Sequence, residues 1–142
     1  MPKRFSMAAA LKAGAAMPIS SSFRDLKVWQ QSMLLVEDVY RLSRGFPVDE
    51  RFGLTSQIRR SAVSIPSNIG EGGRRKRRKA HLNYLDIALG SQGEVDVQLE
   101  IALRLGYLAP AEHKRVARRV DEVGRMLNGL IESLQPTDAD WS

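Results

Sequence analysis

The sequence predicts an all-α protein, an up-down antiparallel four-helix bundle. Three observations predict it. Apolar residues recur at alternating steps of three and four in four separate stretches. Glycine and proline punctuate the stretches and leave short connections. No segment alternates apolar and polar residues between hairpin turns, as a strand would. Four helices with such seams and short connections pack as an antiparallel bundle.

The first helix begins at Leu26 and carries Leu26, Trp29, Met33, Val36 and Tyr40 on one stripe. Gly45 and Pro47 end it. The second begins near Asp49 and carries Leu54, Ile58, Ala62, Ile65 and Ile69. Pro66 lacks an amide hydrogen, so a kink or bulge is expected there. Ser64, Ser67 and Asn68 can bond the carbonyls it frees. Gly70, Gly72 and Gly73 are expected to break this helix. The third and longest runs from about Arg75 to Leu105, with Leu85, Ala88, Val95, Leu99 and Ala102 on one line. Small residues at Ala88, Gly90, Ser91 and Gly93 would let a neighbouring helix approach closely. Leu82, Leu89 and Ile101 fall away from that line, and an apolar second face is usually covered. These three residues are the candidate oligomer interface, with a second copy as the natural cover; isolated surface leucines are the plainer alternative. The fourth helix starts at Pro110, which suits a first helical position. It carries Val116, Val120, Val123, Leu127, Leu130 and Leu134, and Pro136 stops it.

The chain divides into an extension over 1–22, a bundle domain over 23–135 and a polar tail over 136–142. A single domain fits 142 residues. Lys3-Arg4 before Phe5-Ser6-Met7-Ala8-Ala9-Ala10-Leu11 has the outline of a signal peptide. Lys12 interrupts the apolar run, so a disordered extension is expected instead, with Met7 and Met17 as alternative starts. With no cysteine, disulfides, thiolate metal sites and cysteine nucleophiles are excluded. A cytoplasmic location is compatible with that, and no apolar run is long enough to span a membrane.

Charge is the informative property. The chain carries 22 basic and 16 acidic residues, a net charge of +6. Six consecutive cations, Arg74, Arg75, Lys76, Arg77, Arg78 and Lys79, account for the whole excess. Concentrated charge attracts polyanions, which makes these six the candidate nucleic-acid-binding residues. A solvated loop or helix face is the commoner fate of a charge run. At the start of the third helix, however, six cations would oppose the helix dipole and repel each other, so folding gains nothing from them there.

No catalytic constellation emerges, and no cofactor is implied. His81 and His113 are far apart and each reads as a seam-end or capping residue. Asp86, Glu94, Asp96 and Glu100 lack the Glu-x-x-His pattern of di-iron bundles. Ser61, Ser64 and Ser67 have no local base. Gly70-Glu71-Gly72-Gly73 follows a helix rather than a strand, which is the wrong setting for a phosphate loop. Arg59 or Arg60 could pair with Glu94 or another inward acid.

Several stretches carry a family resemblance: Phe23-Arg24-Asp25-Leu26-Lys27-Val28-Trp29, Gly53-Leu54-Thr55-Ser56-Gln57-Ile58-Arg59-Arg60-Ser61, Ser64-Ile65-Pro66-Ser67-Asn68-Ile69-Gly70-Glu71-Gly72 and Leu105-Gly106-Tyr107-Leu108. Over about residues 23–134 the chain resembles the four-helix-bundle proteins encoded in intervening sequences of bacterial 23S ribosomal RNA genes. It is also similar to the accessory protein of diversity-generating retroelements. The resemblance implies a homopentameric barrel with a basic surface. For the retroelement relative it implies binding of nucleic acid and of a reverse transcriptase, and it implies no enzyme. The expectation is a non-enzymatic, homo-oligomeric protein that binds RNA or DNA. The alternative is a scaffolding module whose basic run meets an acidic protein.

Overall fold

The computed structural model describes residues 22–136. The expected extension and tail, with Met7 and Met17, lie outside the described residues apart from Ser22 and Pro136. The four expected helices form: α1 Lys27–Ser43, α2 Leu54–Gly73, α3 Arg78–Arg104 and α4 Pro110–Leu134. Among the described residues there is no strand. Each helix packs on the next in sequence, and α1 closes the bundle against α4.

Cross-helix contacts fix the antiparallel sense. Ser61 on α2 reaches Glu94 on α3 while Ser64 reaches Ser91, so residue numbers rise on one helix as they fall on the other. The Gln92 side chain donates to the Val120 carbonyl (3.0 Å), and His113 faces Glu100 (3.5 Å). The α2–α3 turn, the start of α1 and the end of α4 therefore share one end of the bundle.

The core contains Ile58, Ile65 and Ile69 from α2, Leu85, Val95 and Leu99 from α3, and Val116, Val120, Val123 and Leu127 from α4, all fully buried. Each such side chain contributes on the order of 1.5–3 kcal/mol on leaving water. The expected core lines of α2, α3 and α4 are all buried. The line expected for α1 is not. Its core residues are Val28, Leu35, Val39 and Leu42, with Ser32 completing the stripe. Trp29 and Val36 are only partly buried, and Met33 and Tyr40 are exposed. Helix α1 carries two adjacent apolar stripes, and the one with the smaller side chains faces the bundle.

The α2 boundaries also differ from expectation. A 3-10 turn over Val48–Glu50 precedes the helix, which starts at Leu54. At the other end the glycines do not break it. Gly70, Gly72 and Gly73 lie inside the last turn, where neighbours leave no room for a side chain. A Cβ at Gly73 would stand 2.9 Å from Phe23 Cβ, and one at Gly70 3.2 Å from the Phe23 ring. Helix α2 runs unbroken past Pro66. Ser67 Oγ donates to the Val63 carbonyl (2.8 Å) and Asn68 Nδ2 to the Ser64 carbonyl (2.8 Å), so neighbouring acceptors are satisfied by side chains.

Ala88 and Ser91 do lie at the α2–α3 contact, but Gly90 and Gly93 meet no neighbour among the described residues. The α3–α4 turn closes as a Schellman motif. Gly106 takes the left-handed conformation at φ 76°, while Tyr107 N–H bonds the Ala102 carbonyl and Gly106 N–H the Leu103 carbonyl.

A polar cluster ties α1 to α4. Asp38, 11% exposed at its side chain, accepts from Arg119 Nε (2.8 Å) and pairs with Arg41 (3.1 Å) and Arg115 (3.4 Å). Glu112 pairs with Arg41 and Arg115, and Arg119 also donates to Gln31 (2.7 Å).

Candidate nucleic-acid interface

The six cations form the α2–α3 turn rather than the start of α3. Arg74 is the C-cap of α2, residues 75–76 cross over, Arg77 is the N-cap of α3, and Arg78 and Lys79 are its first two residues. Helix α3 starts three residues later than expected because α2 runs through its glycines. The electrostatic argument changes accordingly. A helix C-terminus favours cations, so Arg74 and Arg75 suit the dipole of α2. Arg78 and Lys79 stand against that of α3. The whole run is exposed.

Aromatic rings hold one flank of the turn. Arg75 lies 4.9 Å above the Tyr84 ring centroid, donates to Tyr84 Oη (2.9 Å) and pairs with Glu71 (3.3 Å). Arg74 lies 5.5 Å from the Phe23 centroid, and Arg24 lies 4.7 Å from the same ring. Phe23 in turn meets Trp29 edge-on at 5.6 Å. Lys76, Arg77 and Lys79 have no acidic partner among the described residues. Beneath the turn lies His81, buried and pressed against Gly72. Its Nε2 has no hydrogen-bond partner among the described residues, and burial pushes its pKa below the ordinary 6.5. His113, the other histidine, pairs with Glu100 at the far end of α3.

Other candidate residues are dispersed. Leu82 and Leu89 pack partly buried against the core, while Ile101 is 41% exposed. Ile101 shares its side of α3 with three more exposed apolar residues, Ile87, Val97 and Leu105. Arg59 and Arg60 do not pair with Glu94. Arg59 donates to Ser43 Oγ (2.8 Å) and lies over Tyr40, while Glu94 accepts from Ser61 (3.1 Å). Among the described residues no three His, Cys, Asp or Glu side chains group as metal ligands. None of the described helices is long and apolar enough to cross a membrane. The stacking of Arg75 on Tyr84 and of Arg74 on Phe23 has no sequence signature, because the first pair is set by how α2 turns into α3 and the second by how the segment before α1 packs on the end of α2.

Comparison with known proteins agrees with the fold. The family model of the 23S rRNA-intervening sequence protein matches residues 24–129. A crystal structure from Bacteroides thetaiotaomicron, of a protein with unknown function from the S23 ribosomal protein family, is 25% identical with a TM-score of 0.69. The alignment covers 74% of this chain and 95% of that one. No curated protein matches the chain.

Proposed function

The chain belongs to the 23S rRNA-intervening sequence protein family, and from that premise we propose that it is a non-enzymatic, homo-oligomeric protein that binds RNA through the backbone. One observation carries the reading. The entire net positive charge of the chain is an exposed six-residue turn at one end of the bundle. Counterion release on meeting phosphates would then dominate affinity. Base readout would be slight, because few amide or free aromatic side chains flank the turn and Tyr84 is already occupied by Arg75. DNA presents the same phosphates and is the alternative polyanion.

Self-association supports the reading through multivalency. The exposed stripe of Ile87, Val97, Ile101 and Leu105 is apolar surface that a second copy can cover. A pentameric ring would present five basic turns to one polyanion, raising avidity without any base-specific contact. A reverse transcriptase or another protein would then be a further partner of the assembled ring.

Filter binding to a structured RNA at several salt concentrations tests the proposal. The expected log–log slope is about −4 to −5 if all six cations meet phosphates. Binding that is absent, insensitive to salt, or unchanged when residues 74–79 become alanine would end it.

A further inference from the structure

An apolar groove of about 510 Å³ runs between α1 and α2 beside the basic turn. Trp29, Met33 and Val36 line one wall, Val63 and Pro66 the other, and Phe23 closes the end. Arg24 and Arg74 stand at that closed end, both exposed and neither with an acidic partner among the described residues. Glu71, the one carboxylate on the groove, is engaged by Arg75. The groove therefore suits an apolar group flanked by carboxylates.

The chain supplies such a segment. Beyond Pro136 come Thr137-Asp138-Ala139-Asp140-Trp141-Ser142. Helix α4 ends at Leu134, on the same end of the bundle as Phe23 and Arg74, and α4 is the neighbour of α1. Neighbouring helix axes are about 8–10 Å apart. Six extended residues reach about 20 Å, which is enough to round the start of α1. The other outlying segment fits worse. Residues 1–21 contain Lys3, Arg4 and Lys12 and no carboxylate, so the two arginines would repel them.

We infer that the acidic segment 137–142 docks intramolecularly in this groove, with Trp141 between Trp29 and Pro66 and with Asp138 and Asp140 against Arg24 and Arg74. The docked segment covers the apolar stripe of α1 that faces away from the core. It also neutralises the first cation of the basic turn, so it competes there with any polyanion. The inference stands independently of RNA binding.

Fluorescence quenching tests it on the full chain. The protein has two tryptophans, so Trp29→Phe leaves Trp141 as the sole emitter while keeping the groove apolar. Docking predicts blue-shifted Trp141 emission and slow acrylamide quenching. Arg24→Ser with Arg74→Ser, or separately Asp138→Asn with Asp140→Asn, should raise quenching severalfold toward that of a free peptide. The second pair lies outside the described residues and removes no contact described for the bundle. Free-peptide quenching in the Trp29→Phe protein overturns the inference. So does protection that neither double variant relieves, which would place Trp141 elsewhere. Protection lost on dilution would assign the segment to a second copy and overturn the intramolecular form.

Discussion

Gly72 of α2 lies directly against His81 of α3: a Cβ built on Gly72 would stand 2.8 Å from His81 Cδ2 and 3.3 Å from the His81 carbonyl oxygen. The contact sets how closely the two helices meet at the basic end. Gly72→Ala should therefore cost about 1–3 kcal/mol, as overpacking of a tight helix crossing does. Urea unfolding would measure it. Gly129→Ala, whose added methyl meets open space, is the matched control and should be stabilising or neutral.

Burial of His81 makes stability depend on pH in a defined direction. Its folded pKa is lowered, so the unfolded chain takes up a proton that the folded chain refuses. No penalty exists well above pH 6.5, and stability is lost as pH falls below that value. His81→Leu should flatten the dependence between about pH 7 and about pH 5 relative to the parent protein. Parallel curves for the two proteins would contradict it.

The Asp38 carboxylate answers three arginines from two helices. Asp38→Ala leaves Arg119, the least exposed of the three, without its carboxylate partner. A loss of about 1–3 kcal/mol is expected, below that of a fully buried pair because the arginines are partly solvated. Thermal unfolding of the single variant and of Asp38→Ala with Arg119→Ala should show strong non-additivity.

The basic turn divides into a half that suits its helix and a half that does not. Replacing Arg77 and Lys79 with serine should leave stability unchanged or raise it slightly, since both stand at the α3 N-terminus and oppose its dipole, and serine is a better N-cap than arginine. The same change should flatten the salt slope of RNA binding by about 1 to 2. Unfolding and filter-binding series on one variant would measure both.

Val97→Glu tests the exposed stripe of α3. A charge at this 60% exposed position should leave the helix content intact and disperse any oligomer, read by light scattering. An unchanged assembly would place the interface elsewhere.

The sequence was most legible where a helix has one apolar stripe. Val116 through Leu134 on α4 and Leu85 through Ala102 on α3 could face only one way. Helix α1 offered two stripes. Periodicity favoured the one with Trp29, Met33 and Tyr40, but packing against α2 and α4 selected Leu35 and Val39, interrupted by the small Ser32. Glycines gave the opposite difficulty. Gly70, Gly72 and Gly73 look like breakers in one dimension, yet their role is to admit Phe23, 47 positions before Gly70, and His81, 9 positions after Gly72. The cations themselves were visible at once. Their place in the turn was not, because it depends on where α2 ends.

Both described chain ends and the basic turn share one end of the bundle. A purification tag or reporter joined directly at Ser22 or Pro136 would stand at the same end as the basic turn and bias any polyanion affinity measured there. The opposite end carries Phe52, 84% exposed in the α1–α2 connection. In a chain without cysteine, Phe52→Cys provides a single thiol for immobilisation or a dye, leaving the basic end facing free solution.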